Sequence, residues 1–128
     1  ANIIASAVPA ALSSQRIHPA TRVFMALRIA VNRELEHLEA FMARVPELLN
    51  PGGKICILSF HSLEDRIVKT QLKTHASPCT CPPKLPVFSC GKKPLLRLLT
   101  RKVVRPSEEE VNQKPMARST RLRAAQRL

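Results

Sequence analysis

Apolar residues recur at Val23, Phe24, Leu27, Val31, Leu35, Leu38, Phe41, Met42 and Val45. This alternation of three and four positions predicts one long amphipathic helix. It opens at Arg16-Ile17-His18-Pro19, because proline suits a first helical turn, where its missing N–H costs nothing. Pro46 is expected to bend or stop the helix, with Glu47-Leu48-Leu49 as a last turn. Asn50-Pro51-Gly52-Gly53 reads as a tight turn. Lys54 to Phe60 is short, apolar and bounded by that turn, which fits a buried strand. Ser62 then reads as an N-cap, with Asp65 reaching back from the third position, and Ile67, Val68 and Leu72 supply a helical apolar face. Helix, turn, strand and helix together predict an α/β unit.

Residues 75 to 94 lack periodicity and carry five prolines, so they read as a loop. Leu95 to Val104 is a second strand candidate. Ser107 and Glu110 repeat the cap pattern and predict a short helix ending before Lys114-Pro115. The tail from Ala117 is ambiguous: propensity favours helix, while Ser119, Arg121 and Arg123 alternating with Thr120, Leu122 and Ala124 favour a strand.

Composition changes this picture in one respect. Lys and Arg number 21 against nine acids, a net charge of +12. Eleven of those bases, against three acids, fall between Gly91 and Leu128. Concentrated positive charge favours a polyanion, and nucleic acid is the usual one; the bland alternative is a solubilising surface. No apolar run approaches the ~20 residues of a membrane span. The opening ANIIASAVPA lacks an initiator Met and a signal-peptide pattern, and Ile3, Ile4, Ala7 and Val8 look like one face of a helix already under way. The chain is therefore expected to be part of a longer protein.

Candidate chemistry centres on SFHSLEDRIVK, Ser59 to Lys69. A strand end followed by a capping serine accounts for Ser62, Glu64 and Asp65, and caps are commoner than active sites. That reading leaves His61 and Arg66 unexplained. Ligands of open α/β sheets bind beyond the carboxyl ends of strands, and His61 sits at such an end. Cys56 reads as a small buried hydrophobe. Cys79, Cys81 and Cys90 with His75 supply four zinc-type ligands, but the C-x-C spacing is tighter than usual and free thiols are the simpler expectation. Arg97, Arg101, Lys102, Arg105, Arg118, Arg121, Arg123, Lys92 and Lys93 could touch phosphates. With only Gly52, Gly53 and Gly91 present, no glycine-rich loop exists to cradle a nucleotide-like cofactor.

The segments RIHPATRVFMALRIAVNRELEHLE, LLNPGGKICILSFHSLEDRIVK, CTCPPKLPVFSCGKKP, LRLLTRKVVRPSEEEV and ARSTRLRAAQR resemble, in that order, the C-terminal portion of the bacterial 16S ribosomal RNA cytosine-N(4)-methyltransferase family, MraW/RsmH. The resemblance implies the C-terminal half of a class I, Rossmann-like methyltransferase sheet that uses S-adenosylmethionine. It implies the end of a helical substrate-binding insertion and its return helix over residues 1–45, and the α/β domain over 46–128. Lys54 to Phe60 would be the fifth strand, Leu96 to Lys102 the sixth, and 119–125 the seventh. The family's cofactor loop and acidic cofactor contacts lie upstream, so no cofactor-binding residue is expected in this chain and these 128 residues alone are expected to be inactive. The implied partners are ribosomal RNA and the small ribosomal subunit, in the cytoplasm and away from membranes, with a homodimer as a further expectation. On this reading His61, Ser62 and Asp65 line the substrate pocket. Arg22, Arg28, Asn32 and Arg66 hold RNA or stitch the insertion to the sheet, and Lys92, Lys93, Arg118, Ser119 and Arg121 contact RNA. The alternative is a basic RNA-binding α/β module without catalysis, zinc-stapled through the cysteines.

Overall fold

The computed structural model describes residues 2–7, 18–77 and 91–128. The chain divides into two compact units, Ala1–His37 and Leu38–Leu128. In the first, α1 (Asn2–Ala7) packs on α2 (Pro19–Val31). His18 caps α2, its Nδ1 accepting from the Ala20 N–H at 3.2 Å. The predicted continuous helix is in fact two. α2 closes at Asn32, and Arg33 takes a left-handed conformation with φ 51° before α3 (Glu34–Leu48) begins. No glycine marks the break. Glu34 holds it instead, accepting from Arg28 Nε at 2.9 Å, Arg28 Nη2 at 3.2 Å and Asn32 Nδ2 at 3.1 Å.

The second unit is an α/β layer. Its sheet contains β1 (Lys54–Ser59), β2 (Leu96–Leu98) and β3 (Arg121–Arg127) in the order β1-β3-β2. Both pairings are antiparallel, so β1 and β2 run the same way with β3 reversed between them. α4 (Ser62–Ala76) follows β1 and lies against all three strands. Cross-strand partners share a face, so Ile55, Ala125 and Leu98 point together. They meet Met42 and Val45 of α3 and Val68 and Leu72 of α4 in one core with Leu96.

The turn before β1 forms as predicted. The Gly53 N–H donates to the Asn50 carbonyl at 2.8 Å, with proline first and Gly52, at φ 80°, second among the central residues. This is the type II arrangement, which needs positive φ at its second central residue. Gly52 and Gly53 also exchange backbone bonds with Arg127, tying the turn to β3.

Several expectations are corrected. Pro46 does not stop α3, which runs on to Leu48 as the expected last turn, and the proline lies buried inside it. Proline lacks the N–H that would bond the carbonyl four residues back, here that of Met42. His75 Nε2, 3.0 Å from that oxygen, takes the place of the missing donor. The strand expected over Leu95–Val104 shortens to three residues, because the Leu99 and Thr100 N–H groups both turn to the single Ala124 carbonyl. Pairing resumes only as a bridge between Val104 and Leu122. β1 is half-buried rather than buried: Cys56 and Leu58 are exposed on the face away from α4, so Cys56 is not a buried hydrophobe. The tail is a strand, but Pro115–Ser119 forms a 3-10 turn before it. Ser107 does cap α5 (Glu108–Gln113), accepting from the Glu110 N–H at 3.2 Å. Among the described residues, no helix is long and apolar enough to cross a membrane.

Candidate nucleic-acid interface

The corner after β1 is set by its cap. His61, not Ser62, is the N-cap of α4, with extended φ and ψ of −136° and 166°. Its Nδ1 accepts from the Glu64 N–H at 3.4 Å, and the Glu64 carboxylate accepts in return from the N–H groups of Phe60 at 2.9 Å and His61 at 3.3 Å. This reciprocal box satisfies donors that a helix start would otherwise orphan. It also decides the imidazole's chemistry. With its Nδ1 lone pair engaged, neutral His61 carries its proton on Nε2. That nitrogen is buried without a hydrogen-bond partner; Glu64 Oε1 lies 3.2 Å away but misaligned.

Asp65 faces the start of β3 instead of the cap. It accepts from Arg123 Nε at 2.7 Å and Nη2 at 3.2 Å, and Arg121 Nη1 lies 3.7 Å away. The two side chains of the Asp65–Arg123 pair are only 13% and 11% exposed. The Arg123 hydrogen bond holds the Asp65 carboxyl below its usual value, overcoming burial; the charges of Arg123, Arg121 and Lys69 act the same way.

Because β1 and β3 are antiparallel, the carboxyl end of β1 meets the beginning of β3, with Ser59 opposite Arg121. A cavity of about 360 Å³ opens there. Phe60, His61 and Ser62 form one wall; Arg118, Ser119, Thr120 and Arg121, with Arg105, form the other. The structure thus brings His61 and Ser62 together with Arg118, Ser119 and Arg121, across more than fifty positions of sequence. Asp65 stands behind this wall, holding Arg121 and Arg123. No carboxylate lines the cavity.

The remaining candidates lie elsewhere. Arg22 is exposed on α2, and Arg28 and Asn32 are engaged by Glu34 in the first unit. Arg66, Lys92, Lys93 and Lys102 are exposed. Arg97 donates to Gln126. Arg101 and Arg123 line a smaller cavity of about 100 Å³ with Lys69 and Lys73. Cys79, Cys81 and Cys90 lie outside the described residues, and His75 uses Nε2 on Met42. Among the described residues, no group of three His, Cys, Asp or Glu could hold a metal. Sequence reasoning overlooked Phe60 and Thr120. Phe60 had a legible signal: it is the aromatic residue between the strand end and His61.

The MraW methylase family model matches residues 1–128. Ribosomal RNA small subunit methyltransferase H of Syntrophobacter fumaroxidans is 54% identical over 127 residues, covering 99% of this chain and 40% of the relative. The proteins of that name from Desulfosudis oleivorans and Thermomicrobium roseum are 56% and 59% identical, over 100% and 89% of this chain and 41% and 35% of their own lengths. The chain thus spans about 40% of the first of these curated relatives.

Proposed function

Because the chain belongs to the MraW methylase family, we propose that the whole protein transfers a methyl group from S-adenosylmethionine to the exocyclic amine of a cytosine in small-subunit ribosomal RNA, in the cytoplasm. Residues 1–45 are then the end of a helical substrate-binding insertion and its return helix, and 46–128 the last part of a Rossmann-like domain. The parallel run of β1 and β2, joined through α4, supports this reading of the sheet. So does the exposed face of β1 bearing Cys56 and Leu58, since strands of such sheets are normally covered on both sides.

The observation that carries the RNA side is the cationic cavity at the carboxyl end of β1. It fits the polyanion and not the donor. The sulfonium of S-adenosylmethionine is itself a cation, and three guanidinium groups without a carboxylate in the lining would repel it. The methyl donor therefore belongs to other residues, and no step is assigned to it in this cavity.

A cytosine amine is a poor nucleophile, because its lone pair is delocalised into the ring. The enzyme must align that lone pair and provide an acceptor for the departing proton. His61 is suited to the first task only. Its Nδ1 is occupied by the cap and its Nε2 is buried, so it offers no free lone pair and contributes through the wall it forms. His61 and Ser62 line the substrate side, Asp65 positions Arg121 behind them, and Arg118 and Ser119 contact RNA. The basic lining alone supports equally a non-catalytic RNA-binding module; family membership favours the enzyme.

The test compares His61→Ala with His61→Asn in the complete protein. Asparagine is a strong N-cap, so it keeps the helix start and removes only the imidazole. Both variants should lose methyl transfer. Full turnover and RNA affinity in His61→Asn would reduce His61 to a cap, and normal values for Asp65→Ala as well would remove the pocket assignment.

A further inference from the structure

We infer that the cavity beside β1 is a single-nucleotide clamp for unpaired RNA, with Phe60 as the stacking surface for one base and Arg105, Arg118 and Arg121 as the cradle for its phosphate. The inference rests on the RNA reading above and adds which part of the RNA is held and how.

Phe60 is 58% exposed at the cavity wall, in a chain with four Phe and no Trp or Tyr. It is not loosely tethered. Its N–H donates to Glu64 Oε2 at 2.9 Å, and β1 on one side and the capped α4 on the other fix its backbone. The backbone is fixed, and the apolar ring lies on a wall facing guanidinium groups. It presents a face on which any base can stack, at little further cost in ordering.

Charge gives the second half. All nine acids of the sequence lie among the described residues, and neither Arg105 nor Arg118 forms an ion pair with any of them. Arg121 meets only Asp65, at 3.7 Å, while the two short bonds of that carboxylate go to Arg123. Three guanidinium groups thus line one cavity whose lining contains no acid, an arrangement that favours an anion. Planar, forked donors match phosphate oxygens. The hydroxyls of Ser62, Ser119 and Thr120 add donors that can also accept.

Size and chemistry narrow the occupant. About 360 Å³ lies at the small end of ligand pockets. A duplex would have to enter with its bases paired and could not reach the ring. The lining has no Asn or Gln to read an adenine edge and no Asp or Glu to accept from a cytosine amine. With its three arginines given to the phosphate, the clamp holds the nucleotide chiefly by stacking and charge.

The test uses the full-length protein with a short fluorescein-labelled single-stranded RNA, read by anisotropy across a salt series, alongside methyl transfer to small ribosomal subunits. Phe60→Leu keeps apolar bulk and removes the ring. It should weaken RNA binding roughly 5- to 150-fold, the range of one lost base stack, with the salt slope unchanged. Arg118→Gln should lower the slope of log affinity against log salt by about 0.7, one single-strand phosphate contact. Circular dichroism confirms the fold of each variant. Both should raise KM for RNA more than they lower kcat. If both variants bind RNA as the parent does, or the parent binds none, the clamp is wrong even where methyl transfer is observed. If the parent transfers no methyl group but the variants lose affinity as described, the clamp stands and the enzymatic reading fails.

Discussion

His75 and Pro46 are coupled through the Met42 carbonyl. Pro46 leaves the Met42 carbonyl without its helical donor, and His75 Nε2 supplies one from α4 at 3.0 Å. Met42 is fully buried, so water is a poor substitute for the imidazole. Replacing His75 by Ala should leave that oxygen unsatisfied and cost about 1–3 kcal/mol beyond the lost packing. In a Pro46→Ala background the new N–H of residue 46 can bond Met42 within the helix. There the same His75→Ala change should cost less, by a coupling energy of about 1–2 kcal/mol. Pro46→Ala has its own effects, since the ring is buried, but the double-mutant cycle subtracts them. Urea unfolding of the four proteins measures this, with midpoints shifting at constant m. Equal penalties for His75→Ala in both backgrounds, within about 0.3 kcal/mol, would refute the shared carbonyl.

Other expectations follow from the same geometry. Asp65→Asn should destabilise the fold by about 2–3 kcal/mol by leaving Arg123 half-satisfied in its buried position. Because the folded pKa of Asp65 is depressed, its stabilisation is complete above the ordinary value of about 3.9 and is lost as pH falls through the lower folded value. The acid limb of a stability-versus-pH curve should therefore flatten in Asp65→Asn; an unchanged limb would contradict the ion pair. Gly53→Ala should cost about 1–3 kcal/mol in thermal or urea unfolding, because its Cβ would fall 2.8 Å from the Asn50 carbonyl oxygen. Cys56→Ser changes an exposed site on β1 and should shift the stability of this chain by less than about 0.5 kcal/mol.

What could be read from the sequence was what is local. The Asn50–Gly53 turn was legible because Pro51 presets one central dihedral and Gly52 accepts the other. The Ser107 cap was legible for the same reason. His61 was singled out by the rule that strand ends carry ligands, and a cavity opens at that end. The failures share a cause: partners distant in sequence. Pro46 was expected to bend or stop the helix because its rescuer, His75, is 33 residues from the orphaned carbonyl. Asp65 was read as a capping acid because Arg123 stands 58 positions away. Histidine ranks low among capping residues, so Ser62 drew the assignment that belongs to its neighbour. The break at Arg33 gave no warning, since a left-handed residue is usually announced by glycine or asparagine.

β3 occupies the middle of the sheet yet comes last of the three strands in sequence, and its Gln126 lies opposite Lys54, 72 residues earlier. During synthesis β1 and β2 emerge as two flanks with nothing to hold between them. Newly made β1, carrying Leu58 and Cys56 on its open side, must wait for the final wedge while sheltering from wrong neighbours. Folding of this layer therefore waits on β3 and is slow by topology, and a stall or nick just ahead of Arg121 would strand both flanks at once.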